Sequence, residues 1–403
     1  MLGGWKGRLA LGVVVWVLTA TVLRVAVVPA EQCAPVTEEE VRAAVVRSVG
    51  WLVDNQNSDG SWLYRYNRVD DEDIGGYNLV RHAGLLVSLY QADAIGIDGA
   101  RDAGDAGTDY VLERLVETGD GGLAFGDEGA IQKAGGAALA VAGLAERREH
   151  TGDDTYDETM AALGRFLEGQ VTPVGSVMGD WDPRTGARIP DTFSKFYTGE
   201  VFWALARLHT LFPDDGWDEP TERILRYVAE DRDQVEGWFP DIPDHWSAYA
   251  YAEMARWPEY RSGERGFSEA ALAYATRQAQ FQSAQIRYES QRTNSFISHY
   301  TRGRQTLGAG LGTIGEAFDA WWRLSERRQE WSINRDEIRA RTLCTASVLV
   351  DRQVDDTEAQ TYPRPDAVRG AWFQFDITQM DDQQHSLSAL VGVIPVLRDE
   401  VPI

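Results

Sequence analysis

KAGGAALAVAGLAER, residues 133–147, decides the fold. Wound as a helix, this stretch shows no polar side before its last residues, so it must be covered on every face. Its alanines and glycines let neighbouring backbones come close. Five more stretches share this character, at 78–92, 196–210, 245–256, 308–324 and 384–397. Between them lie amphipathic stretches at 37–55, 106–118, 156–169, 219–231, 268–285 and 334–354, each charged along one face, as in Val111-Leu112-Glu113-Arg114-Leu115. The two kinds alternate six times, and the amphipathic ones recur at intervals of about 50 to 70 residues, as in a repeat architecture. The pattern predicts an all-α protein, an (α/α)6 toroid of six helix hairpins with apolar helices inside and amphipathic helices outside. Thr37, Ser268 and Asn334 stand where N-caps are needed. No strand pattern competes.

The connections from outer to inner helix are long and carry a turn followed by an aromatic: Gln56-Asn57-Ser58-Asp59-Gly60-Ser61-Trp62, Gly121-Gly122-Leu123-Ala124-Phe125, Gly237-Trp238-Phe239-Pro240 and Gly370-Ala371-Trp372-Phe373. The return connections are plainer. One rim is therefore elaborated, the rim where inner helices begin.

Residues 1–30 read as an address. Lys6 and Arg8 precede an apolar run from Leu9 to Leu23, and Val28-Pro29-Ala30 offers small residues for cleavage. The segment is either a signal peptide or a signal anchor, and its basic flank puts residues 31–403, the toroid, outside. The expected location is exported, either secreted or anchored on the outer face of the cell membrane. Cys33 and Cys344 are either a disulfide of that oxidising compartment or two buried thiols.

The net charge of −24 excludes nucleic acid as a partner of the general surface. Basic residues are almost all arginine, and Lys6, Lys133 and Lys195 are the only lysines. A GC-rich genome or adaptation to high salt accounts for both biases. No metal-ligand spacing is visible, and neither metal nor cofactor is expected.

The Gln56, Gly60, Trp62 spacing resembles the repeat motif of terpenoid cyclases, and the helix-pair ring is similar to theirs and to that of protein prenyltransferases. The ring also resembles the six-hairpin glycosidase superfamily, with its polysaccharide hydrolases, uronate lyases and sugar epimerases. The resemblance extends over residues 36–400 at the level of architecture. The D-x-D-D acid motif of a class II cyclase is missing, since Asp70-Asp71-Glu72-Asp73 is only an acidic cluster. Cys344 lies within an outer helix, unlike a prenyltransferase zinc ligand. The resemblance therefore favours a carbohydrate-active enzyme.

Polar residues gather where inner helices start. Candidate catalytic groups are His82, Glu200, Asp241, Asp244, His245 and His385; candidate substrate-binding groups are Arg81, Lys195, Tyr197, Trp246, His299, Arg302 and Gln384. Each has a plainer alternative as a cap or a satisfied polar group. Glu200 and Glu316 stand out because a carboxylate in an apolar helix is costly without a partner. Helix N-termini converging on one hollow, with Arg81, Lys195 and Arg302, favour an anion, and Trp62, Trp181, Trp238, Trp246 and Trp372 offer faces to sugar rings. The expected substrate is an acidic oligosaccharide or polysaccharide, processed by a hydrolase, lyase or epimerase. A non-catalytic cell-surface glycan-binding or assembly protein is the first alternative, and a cyclase-like or prenyltransferase-like enzyme the second.

Overall fold

A computed structural model describes residues 4–27, 30–237, 244–292, 300, 308–328 and 330–400. The N-terminal helix α1 (Trp5–Val22) buries no residue, and Trp5–Val25 is long and apolar enough to cross a membrane. Twelve long helices follow in outer–inner order: α2 (Glu38–Asp54) and α3 (Leu79–Ala94), α4 (Ala100–Leu112) and α5 (Ala134–Thr151), α6 (Asp157–Gln170) and α7 (Tyr197–Leu211), α8 (Asp218–Glu230) and α9 (His245–Met254), α10 (Glu269–Ser290) and α11 (Gly308–Arg327), α12 (Arg335–Arg352) and α13 (Met380–Leu397). The inner helices α3, α5, α7, α9, α11 and α13 pack in sequence, and α13 closes on α3. The ring of six hairpins is complete.

Local chemistry sets the boundaries. Thr37 and Glu40 form a reciprocal capping box at α2, and Ser268 and Asn334 accept the amides of Ala271 and Glu337. The small residues of α5 serve close packing: at Gly143 a Cβ would lie 2.8 Å from Leu86 Cβ of α3.

The Gln56-Gly60-Trp62 turn proves to be a clamp between outer helices. Gln56 Nε2 donates to Gly60 O and to Ala103 O of α4, while Trp62 Nε1 donates to Leu52 O. Gly60 takes φ +83°, and a Cβ there would stand 2.1 Å from Ala106 O. Gln353, Gly370 and Trp372 repeat the device across the chain closure. Gln353 Nε2 bonds Gly370 O and Ala44 O of α2, Gly370 takes φ +84°, and Trp372 Nε1 reaches Leu349 O. The motif thus locks the first outer helix to its neighbours on both sides.

The structure corrects the expected boundaries in two places. The second outer helix runs over Ala100–Leu112 and not 106–118, because Leu115–Glu117 pairs antiparallel with Leu123–Phe125. Short strands also occur where none were expected. Arg65–Asn67 lies between Glu72–Asp73 and Ile377–Gln379, and Asp180–Asp182 between Gln132–Lys133 and Ala187–Arg188. All belong to the long connections of the elaborated rim, where paired strands satisfy backbone groups that a coil would leave bare.

Cys33 and Cys344 form a disulfide with Cα atoms 4.9 Å apart, tying the segment before α2 to the middle of α12. Glu31 strengthens the tie through Arg341 at 2.9 Å and Arg287 at 3.3 Å.

Candidate functional site

The N-terminal turns of α3, α7, α9, α11 and α13 surround a cavity of about 440 Å³ on the elaborated rim, with Leu139 of α5 at its side. Of the expected site residues, Arg81, Tyr197, Glu200, His245, Trp246, Gln384 and His385 line it. Asn78, Phe196, Gln285 and Thr313, which had not been singled out as site residues, also line it, as does Asp381. Asp241, His299 and Arg302, with Trp238, lie outside the described residues.

Three expected residues stand elsewhere. His82 is buried beneath the rim, its Nδ1 2.7 Å from Tyr77 Oη and its Nε2 2.8 Å from Gly107 O, with its ring stacked on Tyr110. Both ring nitrogens are thereby occupied in holding a connection to α4. Asp244 is the N-cap of α9, accepting the Ser247 amide at 3.0 Å, the Tyr274 hydroxyl at 2.8 Å and the guanidinium of Arg232. Burial raises its pKa, but Arg232 and the hydrogen bonds outweigh that and hold it low. Lys195 is half-buried, and its carbonyl accepts from Arg232 Nη2. Trp62, Trp181 and Trp372 are core residues, not sugar platforms.

The centre of the cavity wall is a cluster from three helices. His385 Nδ1 of α13 lies 2.6 Å from Glu316 Oε2 of α11, and His245 Nε2 of α9 lies 3.8 Å from the same oxygen. The two imidazoles meet edge to face at 5.1 Å between centroids, and Trp246 packs against both. Burial raises Glu316 to about 8, although His245, Ser388 and Tyr249 pull it down. Burial also lowers His385 to about 4. Burial thus disfavours charge on both partners of the His385–Glu316 contact. Its donor atoms, with those of His245, all lie within 4.8 Å of one another, a grouping that can hold a cation.

Glu200 stands on α7, where burial first and Asp244 second raise it to about 8. Gly135 of α5 makes its room, since a Cβ there would be 2.2 Å from Glu200 Oε2. Asp381 lies in the first turn of α13 and pairs with Arg81 at 3.2 Å, while Arg81 also donates to Tyr64 Oη and Gln379 Oε1. Its neighbour Asp382 belongs to the cap of α13, accepting the Gln379 amide at 2.9 Å.

No protein-family model matches the sequence, and no curated protein does. Solved structures do. The cellobiose 2-epimerase of Spirochaeta thermophila superposes with a TM-score of 0.60 at 13% identity, covering 90% of this chain and 98% of its own. This protein is an α/α toroid. An inactive variant of the α-1,6-mannanase of Salegentibacter, bound to α-1,6-mannotriose, gives 0.58 at 12% identity over 89% of this chain and 99% of its own. A type II terpene cyclase from Scytonema gives 0.51 at 11% identity, covering 89% and 99%. At such identities the likeness concerns the toroid alone.

Proposed function

We propose that this toroid is an exported carbohydrate-active enzyme that moves a proton on a sugar, as an epimerase or isomerase, using His245 and His385. The observation that carries the reading is the pair of imidazoles on one cavity wall with Glu316 behind them. A neutral imidazole is a base suited to pH 7, and its free nitrogen is fixed by what the other nitrogen binds. The reading requires the tautomer in which His385 Nδ1 donates to Glu316, which leaves Nε2 for the substrate. One histidine takes the proton from the carbon beside the carbonyl of an open-chain sugar, becoming an imidazolium and leaving an enediolate. The other, entering as an imidazolium, returns a proton to the opposite face of that carbon, inverting it, or to the neighbouring carbon, exchanging aldose for ketose as a hydroxyl proton passes to the former carbonyl oxygen. Proton exchange of both rings with solvent resets the pair.

An acidic sugar suits the mouth. Five helix N-termini turn their positive ends toward it, and a protonated Glu200 donates a hydrogen bond to a carboxylate where an ionised one would repel it. Export is supported by the apolar helix Trp5–Val25 and by the Cys33–Cys344 bridge, which suits an oxidising compartment.

Hydrolysis is the second reading, since Glu200 holds a proton at neutral pH and Asp381 lies on the same cavity. One experiment separates the two. The full chain in detergent is incubated in deuterated water with neutral and acidic oligosaccharides, and the sugars are weighed by mass spectrometry. Proton transfer adds one deuterium to a sugar of unchanged length, with acidic sugars labelled fastest. Shortened products without carbon-bound deuterium mean hydrolysis, and no change in any sugar rejects both.

A further inference from the structure

We propose that His245, Glu316 and His385 form a site for one divalent transition-metal ion of the Zn2+ class, with a coordination position open to the cavity. Two imidazole nitrogens and one carboxylate oxygen are the ligand set of a three-ligand zinc site that keeps its fourth position for water or substrate. Here they converge from α9, α11 and α13 with all donor atoms inside 4.8 Å. Ligands around a tetrahedral ion bound at about 2.0 to 2.2 Å stand roughly 3.3 to 3.5 Å apart. The 2.6 Å His385–Glu316 contact therefore opens by roughly 0.8 Å, the 3.8 Å His245–Glu316 separation closes by roughly 0.4 Å and the third, within 4.8 Å, closes by at most about 1.5 Å, all within the reach of side-chain rotation.

The surroundings suit an ion. All three side chains are at least nine-tenths buried, with relative exposures of 2% for His245, 1% for Glu316 and 9% for His385, which limits competition from bulk water. His245 and His385 line the cavity while Glu316 backs them, so the unfilled position faces the space a ligand enters. The cluster is also hidden from linear spacing, because its members come from three different hairpins.

The consequence rests on the proton-transfer reading of the same residues: an ion held by His385 Nδ1 leaves that ring's Nε2 protonated and occupies His245, so neither ring can act as a base and occupancy and turnover exclude each other. Co2+ serves as the probe because four-coordinate Co2+ absorbs strongly in the visible. The full chain, in detergent, free of any polyhistidine tag and stripped with chelator, is titrated with Co2+. One equivalent should raise an intense visible band that Zn2+ abolishes, and Glu316→Gln and His385→Gln should each weaken Co2+ binding at least tenfold. Wild-type protein without such a band, or variants that bind as tightly as wild type, overturns the site. Deuterium exchange into sugar by the metal-free protein, lost as Zn2+ fills the site, is the accompanying result. Metal-free protein that exchanges nothing counts against the proton-transfer reading alone, because the band decides the metal site independently.

Discussion

The two ends of this barrel bury acidic residues in opposite ways. At the elaborated rim Glu200 has burial and Asp244 against its ionisation, and its pKa rises to about 8. At the far end Glu253 of α9 is equally buried, yet Arg207 lies 3.4 Å away, Arg256 lies 3.3 Å away and Thr210 donates a hydroxyl. These outweigh burial and hold it at about 2. Arg207 also pairs with Glu149 at 2.8 Å and Glu146 at 3.4 Å, though for Glu146 burial still prevails and raises its pKa. The comparison teaches that a buried carboxyl is not informative by itself. Its cation partners decide whether it is a charged strut or a neutral proton holder.

The largest effect is expected at the rim. His385→Gln or His245→Gln should lower turnover of the responsive sugar by about 10²- to 10⁴-fold, the range for losing a positioned acid or base, with the unfolding midpoint little changed. A fall under threefold for both would detach the cavity from the chemistry. Breaking the far end should do the reverse. Arg207→Met removes one of the two cations that Glu253 and Glu149 share, leaving Arg256, and should cost up to about 3 to 5 kcal/mol in denaturant unfolding, while the folded fraction keeps its activity.

Isosteric amides sharpen the contrast. Glu253→Gln removes an ionised acceptor of charge-assisted bonds and should cost about 1.5 to 3 kcal/mol. Asp319→Asn should be smaller, under about 1 kcal/mol at pH 7. Asp319 is buried on α11, where burial disfavours its charged form against the pull of Arg323, so an amide there gives up less than at Glu253. Equal costs for the two would erase the distinction.

The pH dependence has opposite signs at the two ends. Glu253, depressed to about 2, supplies stability that is present above pH 4.5 and lost as pH falls toward 2. Glu200, raised to about 8, binds a proton in the folded chain that the unfolded chain lacks between pH 4.5 and 8, so its contribution declines as pH rises through that window. Glu200→Gln should flatten the decline in stability between pH 4.5 and 8 and leave the loss below pH 4.5 unchanged, as equilibrium unfolding at a series of pH values would reveal.

The fold was legible because the lack of a polar face is a local property of 133–147 and its five counterparts. The misplaced second outer helix shows where that reading fails: Leu115 and Val116 continue an apolar pattern but fold back as a hairpin, and the partner strand at 123–125 is what decides. The site was legible as a rim and less so as chemistry. His82 looks as functional as His385 in sequence, and only Tyr77 and Gly107 reveal that both its nitrogens are spent on structure. Glu316 drew notice as a buried carboxylate, but the histidines that give it a task arrive from α9 and α13.

The most direct test is the titration of the Glu200 side-chain carboxyl by carbon-13 nuclear magnetic resonance, assigned with Glu200→Gln and followed from pH 4 to pH 9. Burial beside Asp244 should place the midpoint near 8. A midpoint in the ordinary carboxylate range, near the 4.5 of a free side chain, would contradict it.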